Sequence, residues 1–463
     1  MAIIGKNLEV GSDASAIPSA YKLDHINITN YKGDVLDVKN LAVKMEIAES
    51  LYNQSLTLKL TLKDSTNFIE QFPVTGQEKV EVIIRSVIKR GKKREKFVNT
   101  IKLNFYITEY PTYGTVPQKY YTDIISLFGV SEQAYISNQK KISRSYVNNT
   151  AKEIEKILTE ELGLDTEKKF RTSGDAISSS RGIITNQRPF DVIEWFRKQT
   201  YSENNYSPFF FFQTLNGKYK LFSLASLIDD DNTLFDTYYN TRDFNTEANT
   251  PEDFRQRETR ILSVASDLKL NKSIQARRGA FASRNNYLDY SNKSYTRYEY
   301  NYKKDFLDKD NPSLEGRSVI SDQFLIGDDK LIDFTQAHCE YISVNSKSFE
   351  GNNNYNEMSK VSRHFLNAYN ALFNTFTHDI RLSGNFKLNA GRKIGLVFPK
   401  TIDPVAYREI VTNPDSHFRN EFLSGNYLIT SAIHEFQNDE YHVNLRVKRD
   451  SFSVDLDDSP KQL

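Results

Sequence analysis

Two extended runs near the C-terminus decide the fold: HDIRLSGNFKLNAGRKIGLVFP, residues 378–399, and SGNYLITSAIHEFQNDEYHVNLRVKRD, residues 424–450. In the first run apolar and polar side chains alternate, and Gly384 and Gly391 interrupt the alternation. This pattern predicts half-buried strands joined by tight turns. The second run predicts a hairpin that folds at residues 437–440. These four strands close only part of a small barrel, so we expect earlier strands to complete it.

The N-terminal part contains a second set of alternating strands. The predicted strands cover residues 41–47, 56–62, 80–88 and 97–107. We count about five strands before Pro111, which suffices for a complete small barrel. The basic tip at residues 89–94 is either a nucleic-acid finger or a solvated hairpin turn. It lacks interleaved aromatic residues and a basic domain around it, which favours the solvated turn.

Between these two regions the hydrophobic period changes from two to nearly four. Thr150 and Glu153 predict a capping box at the start of one helix, and Pro189 marks the first turn of another. An aromatic hairpin follows at residues 208–222. Further along, a strand at residues 261–270 and a helix at residues 361–376 supply partners for the C-terminal strands.

We therefore predict a mainly β protein with α+β inserts and two similar antiparallel β-barrels. The predicted domains are a first barrel at residues 1–112, an α+β domain with a connector at 113–256, a discontinuous second barrel at 257–275 and 355–455, and a Tyr- and Asn-rich insertion at 276–354. The insertion interrupts the second barrel between its first strand and its helix.

Composition excludes several classes of function. The formal net charge is +1 over 463 residues, which gives no global field to attract nucleic acid or an anionic membrane. Cys339 is the single cysteine, so there is no intramolecular disulfide and no cysteine-only metal cluster. Residues 1–20 lack the apolar core of a secretory signal, and the apolar patch at 209–212 is too short to cross a bilayer. We expect a soluble protein without a membrane anchor, assembled in a reducing compartment.

The histidines of the C-terminal hairpin superficially suggest a metalloenzyme. His434 and His442 lie eight residues apart across a predicted turn, whereas the H-E-x-x-H motif needs four residues on one helix face. If the chain turns at residues 437–440, Glu435 and His442 face each other across the hairpin. A cross-strand charge pair is therefore the favoured interpretation over a metal site.

The remaining candidate sites are equally weak. The acidic run at residues 229–231 lacks the central glycine and the distal glutamate of an EF-hand. His338 and Cys339 are adjacent, so their side chains point apart, and we expect a buried structural cysteine. Carboxylate pairs for sugar hydrolysis are possible anywhere among 60 acidic residues, and nothing singles out one pair. We predict no enzyme activity, no cofactor and no metal.

A tyrosine cluster is more informative. Six tyrosines fall within sixteen residues: Tyr287, Tyr290, Tyr295, Tyr298, Tyr300 and Tyr302. Mixed with Asn, Ser, Arg and Lys, they suit a partly wet contact surface better than a core, and we take them as candidate interface residues. The alternative is a Tyr-decorated hairpin with one exposed face. The candidate structural turns are Gly76, Gly384, Gly391 and Gly425.

The order and spacing of four stretches resemble the central baseplate hub protein of contractile-tailed, T-even-like bacteriophages. A more distant similarity is to the hub part of type VI secretion spike proteins. The stretches are residues 64–80; 149–163 with 188–195 and 209–222; 261–270 with 279–284; and 382–399 with 424–430 and 448–451. Together they span most of the chain, although each one is only a pattern of turns and alternation.

The resemblance implies a homotrimer in which each protomer contributes two tail-tube-like barrels, so that six barrels surround a channel. Its implied role is structural: a trimeric adaptor that joins the hexameric tail tube to the trimeric central spike in the virion baseplate and serves host cell entry. Implied partners are other copies of the chain, the spike protein, the tail tube protein or a tube initiator, and the baseplate wedge proteins. The genome passes through the channel without specific binding.

The resemblance further implies assembly in the host cytoplasm, and we expect no fused lysozyme or needle domain. Two other functions stay open from the sequence. One is a virion-associated polysaccharide or peptidoglycan hydrolase. The other is a glycan-binding β protein whose tyrosines stack on sugar rings.

Overall fold

The computed structural model describes residues 19, 21–64, 68–90, 94–115, 123–147, 149–177, 182–202, 206–229, 234–240, 258–309, 311–344, 353–400, 419–437 and 440–457. The fold is mainly β, with 47% strand and 21% helix, as the alternating patterns predict. Its largest feature is a 13-stranded sheet that runs through both ends of the chain.

The N-terminal unit contains the first seven strands and one short helix. They are β1 (Tyr21–Thr29), β2 (Val35–Asp37), β3 (Ala42–Ser50), β4 (Thr57–Asp64), α1 (Phe68–Gln71), β5 (Lys79–Arg90), β6 (Arg94–Thr115) and β7 (Asp123–Ser131). The order is β3-β4-β7-β6-β5-β1-β2, with antiparallel neighbours throughout. The Val38 amide, directly after β2, donates to the Ile26 carbonyl of β1 at 2.9 Å and extends the β1–β2 pairing by one residue.

The middle region is an α+β unit with its own core. It contains α2 (Glu132–Gln139), β8 (Ile142–Tyr146), α3 (Thr150–Lys156), α4 (Thr166–Lys169), β9 (Phe170–Thr172), β10 (Ala176–Ile177), β11 (Gly182–Gln187), α5 (Pro189–Lys198), β12 (Tyr201–Ser202), β13 (Phe209–Gln213), β14 (Tyr219–Ser223) and α6 (Leu224–Ile228). A π-helical turn, Ile157–Glu161, continues α3. The helix at Pro189 and the aromatic hairpin are confirmed. The cap of α3 differs from the prediction, because Asn149 and not Thr150 accepts the Ala151 amide, at 2.8 Å.

The C-terminal half contains the second β unit and the insertion. Its elements are β15 (Thr237–Tyr239), β16 (Ile261–Leu268), α7 (Lys272–Arg277), β17 (Ala282–Asp289), β18 (Ser294–Asn301), β19 (Cys339–Val344), α8 (Asn353–Leu372), β20 (Phe376–Ser383), β21 (Lys393–Val397), β22 (Gly425–Gln437) and β23 (Glu440–Arg449). A π-helical turn lies at Tyr302–Leu307 and a 3-10 turn at Thr335–Ala337. In the insertion, β17 lies between β18 and β19.

The second unit has the strand order β16-β20-β23-β22-β21-β15. Its two end strands meet, because the Tyr239 amide donates to the Thr259 carbonyl at 2.9 Å and Tyr239 forms a bridge with Arg260, just before β16. The predicted hairpin is confirmed, with Gln437 opposite Glu440. The prediction of a strand through Phe386 and Leu388 is wrong, since residues 384–392 are irregular.

The two units belong to one continuous sheet, because β22 pairs with β3. Their antiparallel register runs from Ser431 opposite Ser50 to Gln437 opposite Lys44. One apolar core extends through both units and into the insertion.

Strand β7, beyond residue 112, also belongs to the first unit, where it pairs with β4 and β6. The proposed domain boundaries stay a prediction.

Candidate assembly site

A buried carboxylate lies where the two β units meet. Glu49, on β3, is 1% exposed. One carboxylate oxygen accepts the Leu215 amide at 2.6 Å, and the other accepts the Ala390 amide at 2.7 Å. Leu215 lies in the turn between β13 and β14, and Ala390 lies between β20 and β21. One side chain therefore connects the first unit, the α+β region and the second unit.

His434 lies on the other strand of this joint and is completely buried. Its Nδ1 hydrogen bonds to the Tyr441 hydroxyl at 2.8 Å, and its Nε2 lies 3.7 Å from the Glu49 carboxylate. Burial, followed by the charge of Glu49, raises the pKa of Tyr441 well above its ordinary value, so the phenol keeps its proton. Sequence reasoning missed this cluster because Glu49 and His434 are 385 positions apart and become neighbours only when β3 pairs with β22.

The arrangement of the histidines argues against a metal site. His434 is buried, whereas His442, on the neighbouring strand, is partly exposed and bonds to Glu440 at 3.1 Å. Within the described ranges, no three His, Cys, Asp or Glu side chains are grouped so that they could hold a metal ion. Glu435 and His442 do lie opposite each other. The predicted charge pair is nevertheless wrong, because Glu435 contacts Lys44 of β3 at 3.3 Å.

The glycines have three different roles. Gly76 and Gly391 have φ of +91° and +81°, in the left-handed region that favours glycine. Gly384 is a close-contact position instead, because a Cβ there would lie 2.1 Å from the Tyr441 ring. Gly425 combines a φ of +150° with close contact, since a Cβ would lie 2.5 Å from a Glu315 carboxylate oxygen.

The tyrosine cluster divides between core and surface. The relative exposures are Tyr287 4%, Tyr300 2%, Tyr302 2%, Tyr290 72% and Tyr295 57%, and Tyr298 is intermediate. The interface prediction is wrong for Tyr287, Tyr300 and Tyr302, because all three are buried. Tyr287 lies on β17, Tyr300 lies on β18, and Tyr302 begins the π-helical turn that follows β18. For the other three tyrosines it stays a prediction.

Two sets of residues resemble catalytic groups: Ser283 with His364, and Cys339 beside His338. Ser283 and His364 hydrogen bond at 2.6 Å, but they are 0% and 2% exposed, so a substrate has no access. Burial, followed by the charge of His338, lowers the pKa of His364 to about 4, which keeps the imidazole neutral. Cys339 is exposed, which corrects the prediction of a buried cysteine.

No helix among the described residues is long and apolar enough to span a membrane.

Exposed apolar side chains occur at both ends of the strand order. Near β2 they are Tyr31, Val35 and Leu36, and near β16 they are Leu262, Leu268 and Leu270. Val35 is 61% exposed and Leu262 is 43% exposed. Within the described ranges, strand β16 has β20 on one edge and no strand partner on the other. Such apolar edges are typical places for another chain to bind.

Solved structures that resemble this chain include phage tail proteins and type VI secretion proteins. A tail protein from Neisseria meningitidis MC58 matches with 10% identity and a TM-score of 0.49, over 93% of this chain and 97% of the other. The 43 kDa tail protein of prophage MuSo2 from Shewanella oneidensis matches with 13% identity and a TM-score of 0.48, over 92% and 98%.

A component of the Escherichia coli type VI secretion system, described as structurally similar to phage T4 tail proteins, matches with 9% identity and a TM-score of 0.40, over 93% and 76%. No family model matches the sequence, and neither does any curated protein. With identities this low and TM-scores below 0.5, the function has to be argued from this chain's own residues.

Proposed function

We propose that the chain is the structural hub of a contractile phage tail baseplate and that it assembles as a homotrimer. The observation that supports this most is the pair of β units in one sheet. Each unit contributes six strands to the described ranges, apart from the short β2, and the two share the β3–β22 ladder. Three such chains in a ring present six similar units. A ring of this kind matches sixfold symmetry on one face and threefold symmetry on the other.

The exposed apolar residues support a head-to-tail contact between copies. The β2 end and the β16 end are different surfaces at opposite ends of the strand order, and each has exposed apolar side chains. Contact between two different surfaces forms a closed ring when the rotation between copies allows it. An obligate interface of this kind buries roughly 2,000 Å² or more. In this proposal the exposed apolar ends are buried in the trimer.

The proposed role needs no catalysis. The hub contacts the hexameric tail tube or its initiator on one face, the trimeric spike on the other, and wedge proteins around it. It belongs to the tail of the virion and is assembled in the host cytoplasm. The buried state of Ser283 and His364 is consistent with a structural role.

Light scattering on the purified full chain tests this proposal. The expected mass is about three times the 53.5 kDa of one chain at micromolar concentration. A mass of 53.5 kDa at every micromolar concentration would contradict the proposal. Clearing of a peptidoglycan overlay by the same preparation would instead favour the hydrolase.

A further inference from the structure

A groove of about 650 Å³ opens beside α7, between this helix and the segment 319–337. Its walls are mainly apolar and include Ala276, Val319, Phe324, Ile326, Leu331 and Phe334. Phe324 is 61% exposed and Ile326 is 47% exposed. The C-terminal segment completes the wall with Leu456. The volume is sufficient for one or two large apolar side chains from another molecule.

The charged side chains that line the groove are both cations, Lys272 and Arg277. The Lys272 ammonium is buried, has no hydrogen-bond partner among the described residues, and lies 5.6 Å from the Phe281 ring centroid and 5.3 Å from that of Phe452. Burial lowers the pKa of Lys272 to about 8. An ammonium held by aromatic rings alone is incompletely compensated, so a carboxylate that reaches it gains a strong, charge-assisted hydrogen bond.

Two acidic residues near the groove, Asp322 and Asp457, are engaged by other groups. Asp322 forms an ion pair with Lys303. The Asp457 carboxylate accepts the Ser321 hydroxyl and, at 3.1 Å, the Asp322 amide. None of these contacts involves Lys272 or Arg277.

We propose that this groove binds a segment of a partner protein in which a large apolar side chain stands next to a carboxylate. The apolar side chain fills the space against Phe324 and Ile326, and the carboxylate pairs with Lys272, assisted by Arg277. The apolar walls and the two cations are complementary to this one combination of groups. The proposal does not depend on the trimer, because one chain contributes every residue of the groove.

The single cysteine provides a label next to the groove. Cys339 is exposed and follows Ala337, a lining residue, by two positions. A trifluoromethyl group attached to Cys339 of the full chain reports binding through its fluorine NMR resonance. The probes are the peptides acetyl-Ser-Leu-Phe-Glu-Leu-Ser-amide and acetyl-Ser-Leu-Phe-Gln-Leu-Ser-amide, which differ only in the carboxylate. Decanoate serves as a third probe, an alkyl carboxylate without a peptide backbone.

The glutamate peptide is expected to shift the resonance saturably and to bind about fivefold more tightly than the glutamine peptide. Lys272→Met abolishes this difference, whereas Lys269→Met, the same change at an exposed lysine outside the groove, preserves it. Phe324→Ser weakens both peptides. Equal affinity of the two peptides, or no shift at millimolar concentration, overturns the proposal. Binding of decanoate with dependence on Lys272, without binding of either peptide, also overturns it in favour of a lipid-like ligand.

Discussion

At the scale of single residues, Glu49 explains how three parts of the chain are held together. Its carboxylate accepts two backbone amides from segments 166 and 341 positions away, and it is almost fully buried. The sequence does not reveal this role. The alternating pattern of residues 41–47 predicts a strand, but it does not indicate that a side chain at the end of this strand contacts two distant parts of the chain. Polar side chains that satisfy distant backbone groups are recognisable only after folding.

Replacement of Glu49 by alanine is expected to destabilise the protein strongly. It leaves the Leu215 and Ala390 amides buried without an acceptor, which costs about 2–5 kcal/mol in unfolding free energy. Thermal unfolding followed by circular dichroism measures the change. Glu46→Ala is the matched control on the same strand, where the carboxylate pairs with Lys44 at 2.9 Å near the surface. A change in midpoint no larger than that of Glu46→Ala would contradict the role assigned to Glu49.

Replacement of Gly384 by alanine tests a close contact without backbone strain. The new Cβ would lie 2.1 Å from the Tyr441 ring, which forces the hairpin to move at a cost of about 1–3 kcal/mol or more. Gly76→Ala is the comparison, because its φ is +91° but no atom lies within 4 Å of the added Cβ. The cost there is backbone strain alone, about 1–2 kcal/mol. The unfolding midpoint of Gly384→Ala should be lower than that of Gly76→Ala. The reverse order would contradict the close contact between position 384 and the Tyr441 ring.

The loss of folding stability at acidic pH should depend on His378. Burial, followed by the charge of Arg449, lowers its pKa to about 4, and Asp379 opposes this shift. The ordinary pKa of histidine is about 6.5, so the unfolded chain binds a proton between pH 6.5 and 4 that the folded chain does not. Stability attributable to His378 is therefore lost as the pH falls through this window.

His378→Gln removes the titrating ring, and its unfolding midpoint should fall less between pH 6.5 and 4.5 than that of the unmodified protein. The control is His442→Gln, which changes a partly exposed histidine of the same β unit. It should retain the original pH dependence. An unchanged slope in His378→Gln would refute the assignment.

At the scale of elements, the alternating pattern predicts strands correctly where one face of the strand is buried. The prediction fails where burial does not alternate along the segment. Strands β3 and β4 were predicted because their apolar residues alternate and indeed face the core. The short strand β21 is buried at all five positions, and the residues before it include Leu388 and Ala390, which are buried without strand structure. Burial in an irregular segment produces an apolar pattern that resembles a strand.

The pairing of β22 with β3 could not be predicted either. Alternation indicates which face of a strand is buried, but it does not identify the neighbouring strand when hundreds of residues intervene. The tyrosine cluster shows the same limit. Composition indicates a contact surface, but the alternation of β18 directs Tyr300 into the core and leaves Tyr295 57% exposed.

Strand β16 is where a copy-to-copy contact can be tested. Leu268 is 39% exposed at its end, and a charge there would be buried in the proposed ring. Leu268→Glu is expected to shift the protein from trimer to monomer in light scattering while its circular dichroism spectrum stays unchanged. Ile183→Glu is the control, since Ile183 is 70% exposed on β11 of the α+β region. Equal masses for the two variants would exclude β16 from the interface.

At the scale of the whole molecule, the two β units are the basis of the proposed trimeric hub. In that proposal a chain with one unit would need six copies to match a hexameric tube, whereas a chain with two units needs three. The Glu49 joint and the β3–β22 ladder hold the two units in a fixed relation, which a ring of alternating units requires. The groove beside α7 lies outside this joint and is lined mainly by α7 and residues 319–337.

The most direct test of the hub is an electron microscopy reconstruction of the purified full chain. The account predicts a closed ring of three chains in which six similar β units surround a central channel. Particles that contain a single chain, a twofold dimer or an open filament would contradict it.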